Sequence, residues 1–442
     1  MKKLEIGNFH VKDVVFGDET KFENGILSIN KEEAENFIRE DECITEVEIK
    51  IARPGERIRI VPIKEAAEPR VRLDGRSVFP GVTGKVEKAG EGVLHALKGV
   101  SVMGVGMHMG SFGDGLVDMF GEGQKYTYFG NLINICIIAD TNEDFERHEQ
   151  QKKNRAIRLA THKLAEYLGK TVVDKTPEDV EEYVFEGLAC KDEKTDSLPR
   201  VALVMQPQSQ MEAMGYNDLL YGWDLNHFVP TYMNPNEVLD GAIISGSFMP
   251  SSSKWATYDM QNFPIIKELY KEHGKTINFI GVIMSNLNVS LEQKERSAIF
   301  VSNLAEALGV DAAIVTEEGY GNPDTDYVRV IAGLEDVSVK TVGISNEATG
   351  RDGASQPLVV LDEKADALVS TGNVSELIEL EAADEVFGEL ESLGRDGLSG
   401  GWADDEKLGP SVRENGSIIM ENNAMFCGDQ IAGWSPKTMK GF

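Results

Sequence analysis

A chain of 442 residues is long for one hydrophobic core, and its composition, 41% hydrophobic and 27% charged, is that of a globular protein of more than one domain. Its 74 acidic residues outnumber 44 basic ones, and the resulting charge of -30 repels phosphate backbones and anionic lipid, which argues against nucleic-acid and membrane partners. No apolar run approaches the ~20 residues that span a bilayer. The basic start MKKLEIGNFH has no apolar stretch behind it, so a soluble, cytoplasmic protein without a signal peptide is expected.

Residues 1–130 read as a mainly β domain. FENGILSIN is a hairpin signal with Asn-Gly at the bend, and VEIKIARPGERIRIVPI alternates across a Pro-Gly turn as a second hairpin. The glycine-rich GVSVMGVGMHMGSFGDG fits neither GxGxxG nor a phosphate loop with its lysine, and reads as loop. Residues 131–250 read as an α/β region with substrate loops at its strand ends. In it, NLINICIIAD, RVALVMQPQ and GAIISG are buried strands, and NEDFERHEQQKKNRAIRLATHKLAEYLGK is a long helix. KTPEDVEEYVFEGLACKDEKTDSLP reads as a helix and a surface connection.

Residues 251–385 carry the clearest pattern. INFIGVIMSN is a strand, SLEQKERSAIFVSNLAEALG a helix closed by glycine, DAAIVTEEGYGNPD strand and loop, and TDYVRVIAGLEDVS a helix. VKTVGISNEATGRDG and ADALVSTGN follow as strands. Such alternation indicates a doubly wound parallel sheet, so the fold class is α/β with a mainly β N-terminal region. Residues 386–442, with Trp402 and Trp434, form a glycine-rich C-terminal interface segment.

Four scattered cysteines without CxxC spacing, and seven histidines without HxxxH, make a metal site unexpected; His108 alone stands in a glycine-rich turn. The strand-end loops are rich in polar residues: Ser285 and Asn286; Glu317, Glu318, Tyr320, Asn322 and Asp324; Asn346, Glu347, Arg351 and Asp352; Thr371 and Asn373. Ligands of open α/β sheets bind beyond the carboxyl ends of the strands, which makes these loops the candidate site; capping and turn roles are the alternative. A second cluster, PSSSKWATY, follows the strand GAIISG.

GVIMSNLNVSLEQKERSAIFVSNLAEALGVDAAIVTEEGYGNPDTD, TGRDGASQPLV, DEKADALVSTGN, DGAIISG and KIARPGERIRIVPIKEAAEPRV resemble, through essentially the whole chain, one family. It is the non-selenoprotein subunit of component B of the glycine, sarcosine and betaine reductases of amino-acid-fermenting anaerobes. The resemblance implies reductive C–N cleavage in a complex. A selenocysteine in the selenoprotein subunit of component B takes the carboxymethyl group, selenoprotein component A accepts it, acetyl phosphate is formed and the thioredoxin system supplies electrons. Catalytic roles would then fall on Glu317, Glu318, Tyr320, Asn322, Asp324, Arg351 and Asp352.

In glycine-type members, the position resembling Ser252 is a cysteine at which the proprotein cleaves itself to leave a pyruvoyl group. PSSSK has no cysteine. One reading is an unprocessed chain without cofactor for betaine, whose quaternary nitrogen forms no imine. Quaternary ammonium is held on aromatic faces, so Trp255, Tyr258, Tyr216, Tyr221 and Trp223 would form a cage with Asp224 or Asp259 near it. Ser251, Ser252, Ser253 and Lys254 would face the carboxylate. The alternatives are a sarcosine or glycine subunit with a Ser252-derived pyruvoyl, and a non-catalytic betaine-binding scaffold.

Overall fold

The computed structural model describes residues 2–107, 114–142, 150–188, 193–210, 217–246, 251–390 and 411–432. The N-terminal elements are β1 (Lys2–His10), α1 (Lys31–Arg39), β2 (Ile44–Ala52), β3 (Ile58–Ala67), β4 (Arg70–Arg72), β5 (Gly92–Lys98), β6 (Val100–Gly106), β7 (Gly115–Asp118), β8 (Ile133–Thr141), α2 (Gln150–Gly169) and β9 (Asp179–Phe185). They build two mixed sheets, ordered β9-β1-β5-β4 and β7-β3-β6-β8-β2, with α2 laid across β6, β3 and β8. The expected Asn-Gly hairpin is present: Lys21–Glu23 pairs antiparallel with Ile26–Ile29 around Asn24 and Gly25, both at positive φ.

Three readings change. First, β2 and β3 are not a hairpin, because β6 and β8 lie between them. All ten residues of β3 are buried, so its ladder is completed on both sides, by β7 and β6. The intervening turn is held elsewhere, with Arg53 Nε on Asp13 at 2.8 Å and its terminal nitrogen on the Val14 carbonyl at 2.6 Å. Second, the glycine-rich stretch holds strand β6 and the first residue of β7. Gly104 lies under α2, where a Cβ would stand 2.3 Å from Thr161 Oγ1, so glycine marks a close helix approach rather than a loop. Third, the acidic DVEEYVF is the strand β9, an edge strand antiparallel to β1, with Asp179 and Glu182 exposed and Glu181 half-buried against Lys267.

The C-terminal elements are β10 (Arg200–Gln206), β11 (Thr231–Met233), α3 (Thr257–Gln261), α4 (Pro264–Glu272), β12 (Asn278–Met284), α5 (Leu291–Leu308), β13 (Ala312–Glu317), α6 (Asn322–Asp336), β14 (Lys340–Glu347), β15 (Leu368–Asn373) and β16 (Glu385–Gly388). Ser290 caps α5 and Gly309, at φ 63°, ends it. The sheet order is β11-β12-β10-β13-β14-β15, parallel except for β11. Helices α5 and α6 bury Val301, Val328 and Ile331 on one face of this sheet, while Phe263 and Ile266 join the apolar cluster on the other. This is the expected doubly wound arrangement. The two halves share a core, since β16 runs parallel to β3 and Phe426 packs on Phe129.

Candidate active site

The chain passes from β10 to β12 on one side and then returns across β10 to β13 on the other, so the order of strands reverses between the parallel β10 and β13. In such sheets the crevice at the carboxyl ends of those two strands is where ligands bind. Gln206 and Gln208 leave β10 there, and Glu317 and Glu318 leave β13.

The serine loop lies in this crevice. Glu318 accepts the backbone N–H of Trp255 at 2.8 Å and that of Gln208 at 2.9 Å. Its carboxyl also meets that of Asp218, whose Oδ1 accepts the N–H of Gly246 at 2.6 Å. Both acids are fully buried, and two carboxylates in contact cannot both ionise in a low dielectric. Burial raises both above the ordinary carboxylate range, Asp218 strongly so with the Glu318 charge as the next cause. Asp218 is therefore the proton-bearing partner, and Glu318 the acceptor of two backbone N–H groups.

Ser251, Ser252, Ser253 and Lys254 are all buried. Ser252 donates its N–H to the Asn423 carbonyl at 3.0 Å, and its own carbonyl accepts from the Asp429 N–H at 2.7 Å. Ser253 Oγ accepts from Asn346 Nδ2 at 2.8 Å. Lys254 Nζ donates to the Lys64 carbonyl at 2.8 Å and stands 5.2 Å from the Phe426 ring; burial lowers its pKa to about 8.

The residues singled out around β13 and β14 divide into two sets. Glu317 accepts from Ser345 Oγ at 3.1 Å and is pushed well above the ordinary carboxylate range by burial, with the Asp324 charge adding to it. Tyr320, pushed up to about 12 by burial, accepts from Asn423 Nδ2 at 3.4 Å. Asn423 also donates to Glu421, which accepts Arg351 Nε at 2.8 Å, so Tyr320 and Arg351 are linked to the serine loop through Asn423. Asn322, Asp324 and Asp352 are not brought there. Asp324, raised to about 6 by burial, accepts the Gly321 N–H at 2.7 Å as the reciprocal cap of α6 and the Val359 N–H at 2.8 Å. Asn322 Oδ1 receives Lys294 Nζ and Gln210 Nε2, both at 2.7 Å, and Asp352 accepts Ala354 N–H in an exposed turn.

Beside the loop opens a cleft of ≈ 290 Å³, with Arg155, Arg158 and His162 of α2, Trp223 and Asp224, and Ser245 and Gly246 in its wall. Trp223 is 58% exposed, its ring 5.1 Å from that of His227. The other aromatics of the expected cage lie elsewhere. Trp255 is fully buried against Phe263, edge to face at 5.5 Å, and Tyr258 packs on Phe129 at 5.4 Å. Tyr221 donates to Glu237 at 2.6 Å, Asp259 accepts the Tyr128 hydroxyl, and Tyr216 and His108 lie outside the described residues. Arg155, Arg158 and His162 carry a legible signal that the sequence reading passed over: three and then four residues apart, they share one helix face.

Among the described residues no group of three His, Cys, Asp or Glu is placed to hold a metal, and no helix is long and apolar enough to cross a membrane.

A family model of glycine/sarcosine/betaine reductase component B subunits matches residues 1–440. The chain belongs to this family. It is 64% identical over 441 residues, the full length of both, to the betaine reductase complex component B subunit alpha of Peptoclostridium acidaminophilum. Over the full length of both it is 40% identical to the glycine reductase complex component B subunits alpha and beta of the same organism. It is 37% identical, over 99% of each chain, to that organism's sarcosine reductase complex component B subunit alpha. No solved structure matches it. As a component B subunit it is one part of a multi-subunit reductase complex of amino-acid fermentation.

Proposed function

We propose that this component B subunit binds glycine betaine in the Trp223 cleft and presents it, unprocessed at Ser252, to a selenolate of the selenoprotein subunit. The observation that carries the reading is one cleft lined by an exposed indole beside the Asp224 carboxylate and by the guanidinium groups of Arg155 and Arg158. A quaternary ammonium has no N–H to donate and is held by a ring face and a negative field; a carboxylate is held by guanidinium forks. Betaine carries both groups two bonds apart. Selenium attacks the methylene carbon, the C–N electron pair leaves with trimethylamine, and a selenium-bound carboxymethyl group remains. Component A accepts that group on the way to acetyl phosphate, and the thioredoxin system restores the electrons.

The same reading treats Ser252 as a structural residue. Among the described residues its fully buried Oγ has no hydrogen-bond partner that could act as a base, and it does not line the cleft. This reading puts no pyruvoyl group there, and no step passes through one. Carbonyl labelling with a hydrazide and intact mass test this: one unlabelled species of 48.6 kDa is expected, whereas a labelled fragment beginning near Ser252 would move sarcosine or glycine to the front. With the selenoprotein partner and reductant added, Trp223→Ala is expected to raise KM for betaine by about 3- to 30-fold, the range of exposed to desolvated cation–π contacts. An unchanged KM removes Trp223 from the site. Betaine binding without trimethylamine release in the assembled system would leave a scaffold rather than a catalytic subunit.

A further inference from the structure

His162 lies on α2 in the wall of the cleft, 1% exposed. Its Nε2 stands 3.2 Å from Glu65 Oε2 and 3.1 Å from Thr257 Oγ1. The proton at this contact is assigned by what the neighbours already do. Thr257 donates its hydroxyl proton to Glu65 Oε2 at 3.0 Å, and its Oγ1 accepts the Ser245 N–H at 3.1 Å. Glu65 Oε1 is taken by the N–H groups of Thr257 at 3.0 Å and Ala66 at 2.8 Å. Every neighbour of Nε2 is thus an acceptor, so Nε2 carries a proton. The second nitrogen, Nδ1, is buried and has no partner among the described residues. A neutral ring presents a lone pair there; an imidazolium presents an N–H.

The charged groups around the ring favour the second form when an anion is bound. Glu65 on β3 stays ionised: burial raises it, but the hydrogen bond and charge of His162, with the Lys254 charge, lower it further than burial raises it. Asp218 and Asp259, on which the Glu65 charge acts, are pushed well above the ordinary carboxylate range by burial. Lys254 in the serine loop and Arg158 on the same helix oppose a further positive charge, and Arg155 and Asp224 share the cleft wall. An anionic ligand offsets those cations, leaving Glu65 as the counter-charge behind the ring.

We propose that His162, oriented by Glu65 and Thr257, is a carboxylate-binding residue of the cleft whose Nδ1–H bonds the anionic end of the bound zwitterion, and that one proton is taken up with the ligand. The inference rests on the reading that the cleft takes a zwitterionic carboxylate, and it adds a residue and a proton to it. Since bound ligand favours the charged ring, affinity weakens as pH rises, by up to ~10-fold per pH unit.

The test is calorimetric titration of the full chain with glycine betaine and, separately, sarcosine, from pH 6 to 8.5 in buffers of different ionisation enthalpy. Wild type is expected to take up close to one proton at the alkaline end, with Kd rising with pH. His162→Asn, whose amide can replace Nδ1–H but cannot titrate, is expected to bind with a Kd flat in pH and no uptake. His162→Gln, whose amide reaches toward Glu65 instead, is expected to bind at least 10-fold more weakly. Equal proton uptake in wild type and His162→Asn, or a Kd for His162→Gln within 2-fold of wild type, overturns the proposal. Binding of sarcosine but not betaine overturns the substrate reading alone, because proton uptake with sarcosine still tests His162. If neither zwitterion binds, both readings fall.

Discussion

Asp218→Asn isolates the shared proton of the carboxyl pair. In the folded protein the pair holds one proton, while in the unfolded chain both acids ionise above about pH 4. Folding at neutral pH therefore takes up a proton. Because the Asp218 pKa is raised on folding, its stabilisation is complete below the unfolded value and is lost as pH rises toward the folded one. The loss is about 1.4 kcal/mol per pH unit. Asparagine reproduces the protonated acid. Its NH₂ donates to Glu318 and its oxygen accepts the Gly246 N–H, which sits 2.6 Å from Asp218 Oδ1. The variant should match wild type near pH 4.5 and exceed it by roughly 1–4 kcal/mol near pH 7, within the spread of buried-carboxyl shifts. Urea unfolding of both proteins at pH 4.5, 6, 7 and 8 checks this. A constant penalty above about 2 kcal/mol at every pH would mean that Asp218 is ionised in the folded state, and the assignment of the proton would be wrong.

Two more predictions concern the packing around the site. Trp255→Ala leaves a cavity against Phe263 in a fully buried position and is expected to cost about 3–5 kcal/mol in denaturant unfolding; a cost below 1 kcal/mol would return Trp255 to the accessible surface. Gly343→Ala puts a Cβ 1.9 Å from the Tyr327 hydroxyl and is expected to cost about 1–3 kcal/mol. Among the described residues Tyr327 OH has no hydrogen-bond partner, so Tyr327→Phe alone should be near neutral and the double variant should recover most of the loss, with a coupling near zero refuting the contact.

Much of the fold was legible because periodicity and caps are local. The elements from Asn278 to Asn373 follow from buried runs, Ser290 and Gly309, and polar strand ends. Residues whose roles are set by distant partners were misread. Gly104 looks like a loop glycine until α2 crosses it, and DVEEYVF looks helical until β1 offers an edge. In the site, Glu318 stood out as an acid beyond a strand end, but nothing local pairs it with Asp218, a hundred residues earlier. The aromatics were equally opaque: nothing local in LLYGWDLNH or SSSKWATYD tells that Trp223 is exposed at a cleft and Trp255 sealed against Phe263.

By itself the sequence determined the family, the alternation of strands and helices, and the row of polar residues at the carboxyl ends of a parallel sheet, since each depends on residue identity and short spacing. Only the tertiary structure decided that the serine loop lies in the crevice between β10 and β13, that the buried carboxyls of Asp218 and Glu318 meet, and that Arg155, Arg158, His162 and Trp223 line one cleft. Those facts depend on which chain segments a sheet reversal and a crossing helix bring within hydrogen-bonding distance. The burial that shifts a carboxyl or seals an indole is a property of the packed whole.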